Sequence, residues 1–281
     1  MNMPIKIFRC PHHSDELNEN FEKEFKECDI FLFEQGCNDE YNRVKSYISE
    51  LSAKGYSSDS TPLIGNFDAY MEKLLNIIKN SKKKIEVEKS PFAQEYTERN
   101  ESFGDNAMKR FCSGDIERAC ADMIMYLTGV NERDEGRENS LEEQLIQIQE
   151  ENKDKKVLAA IGTDHLIYYK LKNKGLDVKQ EFSYMPVVYP IHAEVKRRIA
   201  FNKLFTMEMV AKSIAESFIT KFLISSGATS REIIEIPRKL LEKLDYKKIK
   251  ELSKYMSEDV LRRRFPNEAV VIWLRRQGFE I

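Results

Sequence analysis

Short apolar runs alternate with amphipathic segments over the first two thirds of the chain. The runs at 4–9 (PIKIFR), 29–34 (DIFLFE) and 157–161 (VLAAI) are too short for helices and predict buried strands. Residues 85–87 and 176–182 predict two further strands. The segments between these runs carry apolar residues at helical spacing. This alternation predicts an α/β fold whose largely parallel mixed sheet is flanked by helices.

The middle of the chain predicts helices on both sides of a charged loop. Apolar spacing favours helix from residue 90 to Gly129 with a break near Ser113-Gly114, and Gly129 suits the end of a helix. The sequence NERDEGRE at 131–138 predicts a loop. A new helix is then expected from Ser140 to Glu151, where the apolar residues again keep helical spacing.

The pattern changes after Glu194, and we expect a domain boundary there. Residues 1–194 form the predicted α/β domain, and residues 195–281 form a helical C-terminal extension. The extension carries 19 Lys and Arg against 11 Asp and Glu, whereas residues 1–194 carry 26 against 36. Its predicted helices cover 195–226, 230–243, 246–254 and 257–264, and the last segment, AVVIWLRRQGFEI, predicts either a strand or a helix.

Composition narrows the class of protein. Of the 281 residues, 33% are charged, which favours helices with solvated faces. No apolar run approaches the roughly 20 residues of a membrane span. The N-terminal residues lack the features of a secretory signal. The five cysteines include no C-x-x-C pair, so free thiols and a cytoplasmic location are expected. Phosphate-binding glycine motifs and the G-x-S-x-G serine-hydrolase motif are also absent from the sequence.

Three polar clusters follow the predicted strands. Cys10-Pro11-His12-His13 follows the first strand, Glu34 ends the second, and Gly162-Thr163-Asp164-His165 follows VLAAI. Sites in open parallel sheets form beyond the carboxyl ends of the strands. If these strands are neighbours, His13, Glu34 and His165 converge. Two imidazoles and a carboxylate can hold a divalent ion such as zinc, manganese, iron or cobalt.

Each of these residues also has a simpler interpretation. His13 is equally consistent with a surface or capping residue, and His12 is an alternative for the same role. Glu34 is also consistent with a solvated charge at a strand end, and His165 with a helix cap. Because three of the four histidines lie in these clusters, the combination favours a site more than any member alone.

The residues from Arg137 to Val178 resemble the TraB/TIKI superfamily, which is related to the erythromycin esterase and ChaN-type proteins. Arg137-Glu138-Asn139-Ser140-Leu141 resembles the arginine-led stretch of that family, with leucine in place of methionine. An amphipathic segment, the VLAAI run and the G-x-x-H motif ending at His165 follow in the family's order. Glu34 resembles the family's strand-end glutamate. Cys10 stands where the family's first G-x-x-H motif has glycine.

The resemblance implies a polar or metal-dependent site on an α/β fold. His13, Glu34 and His165 are then the metal ligands, with Glu34 the alternative general base. Arg137 positions a carboxylate or stabilises an oxyanion, or else forms a salt bridge that organises the sheet edge. Glu138 contacts a metal ligand without binding the ion itself. The implied activity is a metal-dependent hydrolase that acts on a peptide, ester or amide bond of a peptide or small-molecule substrate.

Two alternatives stand beside the hydrolase. The first is a non-catalytic binding or regulatory protein on the same fold, which the departure at Cys10 favours. The second is an anionic partner, such as a nucleic acid, bound through residues 195–281. There Arg262-Arg263-Arg264-Phe265 and Trp273-Leu274-Arg275-Arg276 combine cations with aromatic rings. A charged helical surface gives the same composition, and the apolar run around Trp273 suggests that this residue belongs to a core. Docking of this basic region on the acidic part of the chain, or on a second copy in a homo-oligomer, is an equally simple alternative.

Overall fold

The computed structural model describes most of the chain and divides it into two compact units. The described residues are 4–9, 14–34, 41–57, 69–89, 98–182, 190–260 and 266–280. The first unit contains Met1–Glu95 and Asp134–Val187, and the second contains Tyr96–Arg133 and Val188–Ile281. Residues 96–133 thus group with the C-terminal helices, whereas the sequence predicted a single boundary at residue 194. Apolar residues of this segment pack in the core of the second unit, which explains the difference.

A five-stranded parallel sheet forms the centre of the first unit. Its strands are β1 (Ile5–Arg9), β2 (Ile30–Phe33), β3 (Lys84–Val87), β4 (Val157–Ile161) and β5 (Val178–Phe182). The strand order is β3-β2-β4-β1-β5, and all four pairings are parallel. Every residue of β2 and β4 is buried, as expected for strands covered on both faces. The predicted α/β fold class is confirmed.

Helices cover both faces of this sheet. One face packs against α1 (Glu19–Glu27), α2 (Tyr41–Lys54) and α3 (Ala69–Ile78) in an aromatic-rich core. The other face packs against α6 (Ile167–Asn173) and the second half of the helix Ile116–Glu151. The predicted helices at 40–53 and 66–80 are thus observed with small changes at their ends.

One helix continues through the loop that the sequence predicted for the middle of the chain. α4 (Glu98–Cys112) precedes this helix, and α5 runs without interruption from Ile116 to Glu151. The predicted loop at 131–138, the helix end at Gly129 and the helix start near Ser140 are therefore wrong. The physical reason is that the glutamate and arginine residues of this segment are good helix formers, and one face of the helix is buried. Asp134 and Glu138, one turn apart, are both buried.

The second unit is helical in its described part. It contains α4, the first half of α5 and five further helices around a single apolar core, to which Trp273 belongs. The predicted helix 195–226 is interrupted at residues 201–206. The break predicted between the helices 246–254 and 257–264 lies inside one helix, Tyr246–Val260, and residues 261–264 lie outside the described residues. The five helices are α7 (Ile191–Ala200), α8 (Met207–Ser225), α9 (Ser230–Glu242), α10 (Tyr246–Val260) and α11 (Pro266–Arg276). Across the described ranges, none of the helices combines the length and apolar character needed to cross a bilayer.

A glycine substitution tests the continuity of α5. Gly136 is exposed inside the helix, and a Cβ built there meets no atom within 4 Å. We expect Gly136→Ala to raise the free energy of unfolding by about 0.5–1 kcal/mol, because glycine loses more backbone entropy in a helix. Gly175 is the matched control, since its φ of 79° disfavours alanine. Thermal unfolding followed by circular dichroism should move in opposite directions for the two variants, and destabilisation by Gly136→Ala would contradict a helix at this position.

Candidate functional site

The carboxyl ends of neighbouring strands bring charged side chains together in the first unit. Glu34 directly follows β2 and Glu88 directly follows β3, while Gly162 directly follows β4. Arg9 is the last residue of β1 and is almost fully buried. Since β3, β2, β4 and β1 are adjacent in that order, these residues lie along one edge of the sheet. β4 pairs with both β1 and β2, so the three strands that precede the predicted clusters are grouped together in the sheet.

Glu34 is held through both carboxylate oxygens. The backbone amide of Gly162 donates to Oε2 at 2.6 Å, and Nη2 of Arg137 donates to Oε1 at 2.9 Å. Only 6% of the side chain of Glu34 is exposed, so its charge is satisfied by these groups far more than by water. The interpretation of Glu34 as a solvated strand-end charge is thereby replaced by a paired role.

His165 lies between two carboxylates. Its Nε2 is 2.8 Å from Oε1 of Glu34, and its Nδ1 is 2.8 Å from Oε1 of Glu138. The same oxygen of Glu138 accepts a hydrogen bond from the backbone amide of Leu166 at 2.9 Å. Burial of the imidazole opposes its protonation, but Glu34 and Glu138 outweigh that effect and raise the pKa of His165 to about 10. Without a competing ligand, His165 is therefore a cation at neutral pH.

Arg137 links Glu34 to a second buried carboxylate that the sequence did not single out. Its Nε and Nη2 donate to the two oxygens of Glu88 at 2.7 and 2.8 Å, a bidentate pair. Burial disfavours the charge of Arg137, but its contacts with Glu88 and Glu34 reverse that effect and raise its pKa. The predicted salt bridge at the sheet edge is thus present, and Arg137 also donates to Glu34. Its predicted role of positioning a catalytic carboxylate or stabilising an oxyanion stays a prediction.

Glu88 and Arg9 are the functional candidates that sequence reasoning missed. Glu88 is fully buried, and Gln144 of α5 braces its strand end by donating to the Val87 carbonyl at 2.8 Å. The available signal was the position of Glu88, which directly follows a strand as Glu34 does. Arg9 donates to the carbonyl of Gly162 at 2.8 Å, which joins the ends of β1 and β4.

Four of the five predicted site residues come together: Glu34, Arg137, Glu138 and His165. The fifth, His13, and its alternative, His12, lie outside the described residues, as does Cys10. Within the described ranges, no group of three or more His, Cys, Asp or Glu side chains is arranged to hold a metal ion. The described residues thus supply two of the three predicted ligands.

The imidazole nitrogen of His165 and the carboxylate oxygen of Glu34 are donor types that bind divalent ions. Nε2 of His165 faces Oε1 of Glu34, and the contact of Nδ1 with Glu138 suits the tautomer that leaves Nε2 free to bind a metal. Histidine ligands commonly have a carboxylate on the second nitrogen. A proton and a metal ion would therefore compete for the lone pair of Nε2.

The basic C-terminal region offers less to a nucleic acid than its sequence suggested. Trp273 is only 5% exposed and packs in the core, so its ring is not available for base stacking. Arg276 is exposed but lies over the ring of Tyr255, 5.4 Å from its centre. Arg262-Arg263-Arg264 lie outside the described residues. The prediction that Trp273 belongs to a core is therefore confirmed, and nucleic-acid binding through residues 195–281 stays a prediction.

Comparisons of this chain with protein-family models, with curated proteins and with solved structures find no match.

Proposed function

We propose that this edge of the sheet is the site of a metal-dependent hydrolase that acts on a peptide, ester or amide bond. The observation that supports it best is the opposition of His165 Nε2 and Glu34 Oε1 at 2.8 Å, with Glu138 behind the imidazole. The resemblance to the TraB/TIKI superfamily, read from Glu34, Arg137, Glu138 and His165, belongs to the same proposal. In it, His13 supplies a further ligand.

The side chains have separate roles in this proposal. Glu138 fixes the orientation of the imidazole, and Glu34 holds the ion or removes a proton from water. Arg137 positions Glu34, and Glu88 holds Arg137 in place. A bound ion would polarise the carbonyl and lower the pKa of its water. In the net reaction, the water's hydroxyl group adds to the carbonyl carbon, the carbonyl's bond to the leaving group breaks, and the leaving group takes the water's proton.

Ion retention is the direct test. Wild-type protein would be loaded in turn with zinc, manganese, iron and cobalt, then dialysed and measured by elemental analysis. We expect about one ion per chain, and its loss in His165→Ala and Glu34→Ala. Glu138→Gln should weaken ion affinity by about 10- to 100-fold, the usual effect of removing a partner of a ligand.

The chain offers a matched control in a second His–Glu pair. In the second unit, Nδ1 of His192 is 3.1 Å from Oε2 of Glu216, which also accepts the backbone amide of His192. His192→Ala should therefore retain the ion. Retention by His165→Ala equal to that of the wild type, or no retention by any wild-type sample, would contradict the metal site. Where an ion is retained, a screen of peptide, ester and amide substrates follows.

A non-catalytic role is the second candidate, and one observation favours it. Arg137, His165 and the amide of Gly162 already neutralise or satisfy both oxygens of Glu34. Such a network can stabilise a sheet edge without any ligand. Stable folding of the wild type with no retained ion, together with a large loss of stability in Glu34→Ala, is the result expected for this candidate.

A further inference from the structure

A cleft in the first unit lies away from the carboxyl edge, beside the start of β3. It lies between α1 and α3 and has a volume of about 580 Å³, within the range of small-molecule sites. Each helix contributes three residues at the spacing of one helical turn, and the turn before β3 contributes two. The lining residues are Glu22, Phe25 and Lys26 of α1, Lys73, Asn76 and Ile77 of α3, and Ser81 and Lys83.

Lys83 is fixed in this cleft. Its ammonium group donates to the carbonyls of Lys26 at 3.0 Å and Cys28 at 2.5 Å, at the end of α1. It also lies over the ring of Phe25, 5.6 Å from the ring centre. An ammonium has three donors, so these two bonds orient the group and leave one N–H for a ligand. A cation held in this way loses little side-chain entropy when it binds an anion.

The turn that contains Lys83 has strained backbone angles and is held by hydrogen bonds. Asn80 and Lys82 both have φ of 59°, a conformation that is uncommon for residues other than glycine. The hydroxyl of Ser52, a buried residue of α2, contacts the hydroxyl of Ser81 at 2.8 Å and bonds to both the carbonyl and the amide of Lys83. Strain of this kind persists where surrounding contacts over-determine it, and it is concentrated at ligand sites.

The cleft combines an apolar surface with excess positive charge. Ile77 supplies accessible apolar surface, whereas Phe25 lines the cleft with only 2% of its surface exposed. Lys26, Lys73 and Lys83 supply three cations against one carboxylate, Glu22. That carboxylate lies 3.5 Å from the ammonium of Lys26, so Lys73 and Lys83 are the cations in excess. The amide of Asn76 adds a neutral donor beside them.

We propose that this cleft binds a small organic anion with an apolar body. The anionic group would contact Lys73 and Lys83, and the body would lie against Ile77. This site is separate from the proposed hydrolase site, because the cleft lies beside the start of β3 whereas Glu34 and His165 follow the carboxyl ends of β2 and β4. Its success or failure therefore does not depend on the proposed function.

Calorimetric titration of the full chain with octanoate tests the proposal, with octanol and inorganic phosphate as comparison ligands. We expect one saturable octanoate site and at least tenfold weaker binding of each comparison ligand. Lys73→Glu removes an exposed cation that makes no structural bond in the described residues, and it should weaken octanoate binding by about tenfold or more. Lys23→Glu, an exposed lysine of α1 outside the cleft, makes the same charge change and should alter affinity less than about twofold.

Lys83→Met is the second variant, because Lys83 is the fixed cation. Its thermal unfolding must be measured alongside, since the lysine also bonds to the end of α1. A folded Lys83→Met protein with unchanged octanoate affinity would overturn the proposal. So would octanol binding equal to octanoate binding, equal losses in Lys73→Glu and Lys23→Glu, or no saturable octanoate binding by the wild type.

Discussion

Replacement of Glu88 by alanine is expected to destabilise the first unit by about 3 kcal/mol. Removing one partner of a buried ion pair typically costs about 3–5 kcal/mol, because the other charge stays buried without compensation. Glu88 is fully buried, whereas the side chain of Arg137 is 21% exposed and keeps its hydrogen bond to Glu34, so water and Glu34 recover part of the loss. The lower end of the range is therefore the appropriate expectation.

The measurement must follow the first unit separately. The single tryptophan, Trp273, lies in the second unit and does not report on the sheet. Hydrogen exchange of the amides of β2, β3 and β4, followed by mass spectrometry, gives the free energy of opening of that region. A urea titration by circular dichroism adds the global value, provided that the transition has a single step.

Two controls separate the ion pair from a general effect of substitution. Glu135→Ala changes an exposed glutamate of the same helix as Arg137 and should alter stability by less than about 0.5 kcal/mol. Glu88→Ala combined with Arg137→Ala should be less destabilising than the sum of the two single changes, because the uncompensated charge is gone. A strictly additive double variant, or a loss below about 1 kcal/mol for Glu88→Ala, would show that the pair contributes little.

The sheet and the positions of Glu34 and His165 could be predicted from the sequence because their signals are local. The runs at β2 and β4 are short, apolar and bounded by polar residues, which is typical of strands buried on both faces. A charged residue that directly follows such a strand lies at the carboxyl edge, so Glu34 and the loop of His165 were placed correctly. Their 2.8 Å contact required strand order, which the pattern alone does not determine.

The errors arose where tertiary packing determines structure. The charged segment 131–138 looks like a loop when read alone, yet its neighbours on both sides are helical and α5 continues through it. Glu88 escaped notice because β3 contributes only four residues, two of them charged, so its strand signal is weak. Glu88 is 49 residues away from its partner Arg137 in the sequence, a separation at which periodicity carries no information.

The stability of the first unit is expected to fall as pH rises from about 7 to 10, and His165 is the reason. Its pKa is about 10 in the folded state against 6.5 for an ordinary histidine, so the folded state binds the proton more tightly. The resulting stabilisation is fully present below the unfolded pKa and is lost as pH rises through the folded pKa. The steepest fall is about 1.4 kcal/mol per pH unit.

Hydrogen exchange of the same strands, measured in chelator from pH 6 to 10 and corrected for intrinsic exchange rates, would show this fall. In His165→Gln it should disappear, because glutamine does not titrate, whereas His192→Gln should keep it. Parallel profiles for the wild type and His165→Gln would contradict the assignment. The same proton connects stability with the proposed ion site. An ion needs the lone pair of Nε2 and must displace that proton, so ion affinity should increase over the pH interval in which the metal-free protein loses stability.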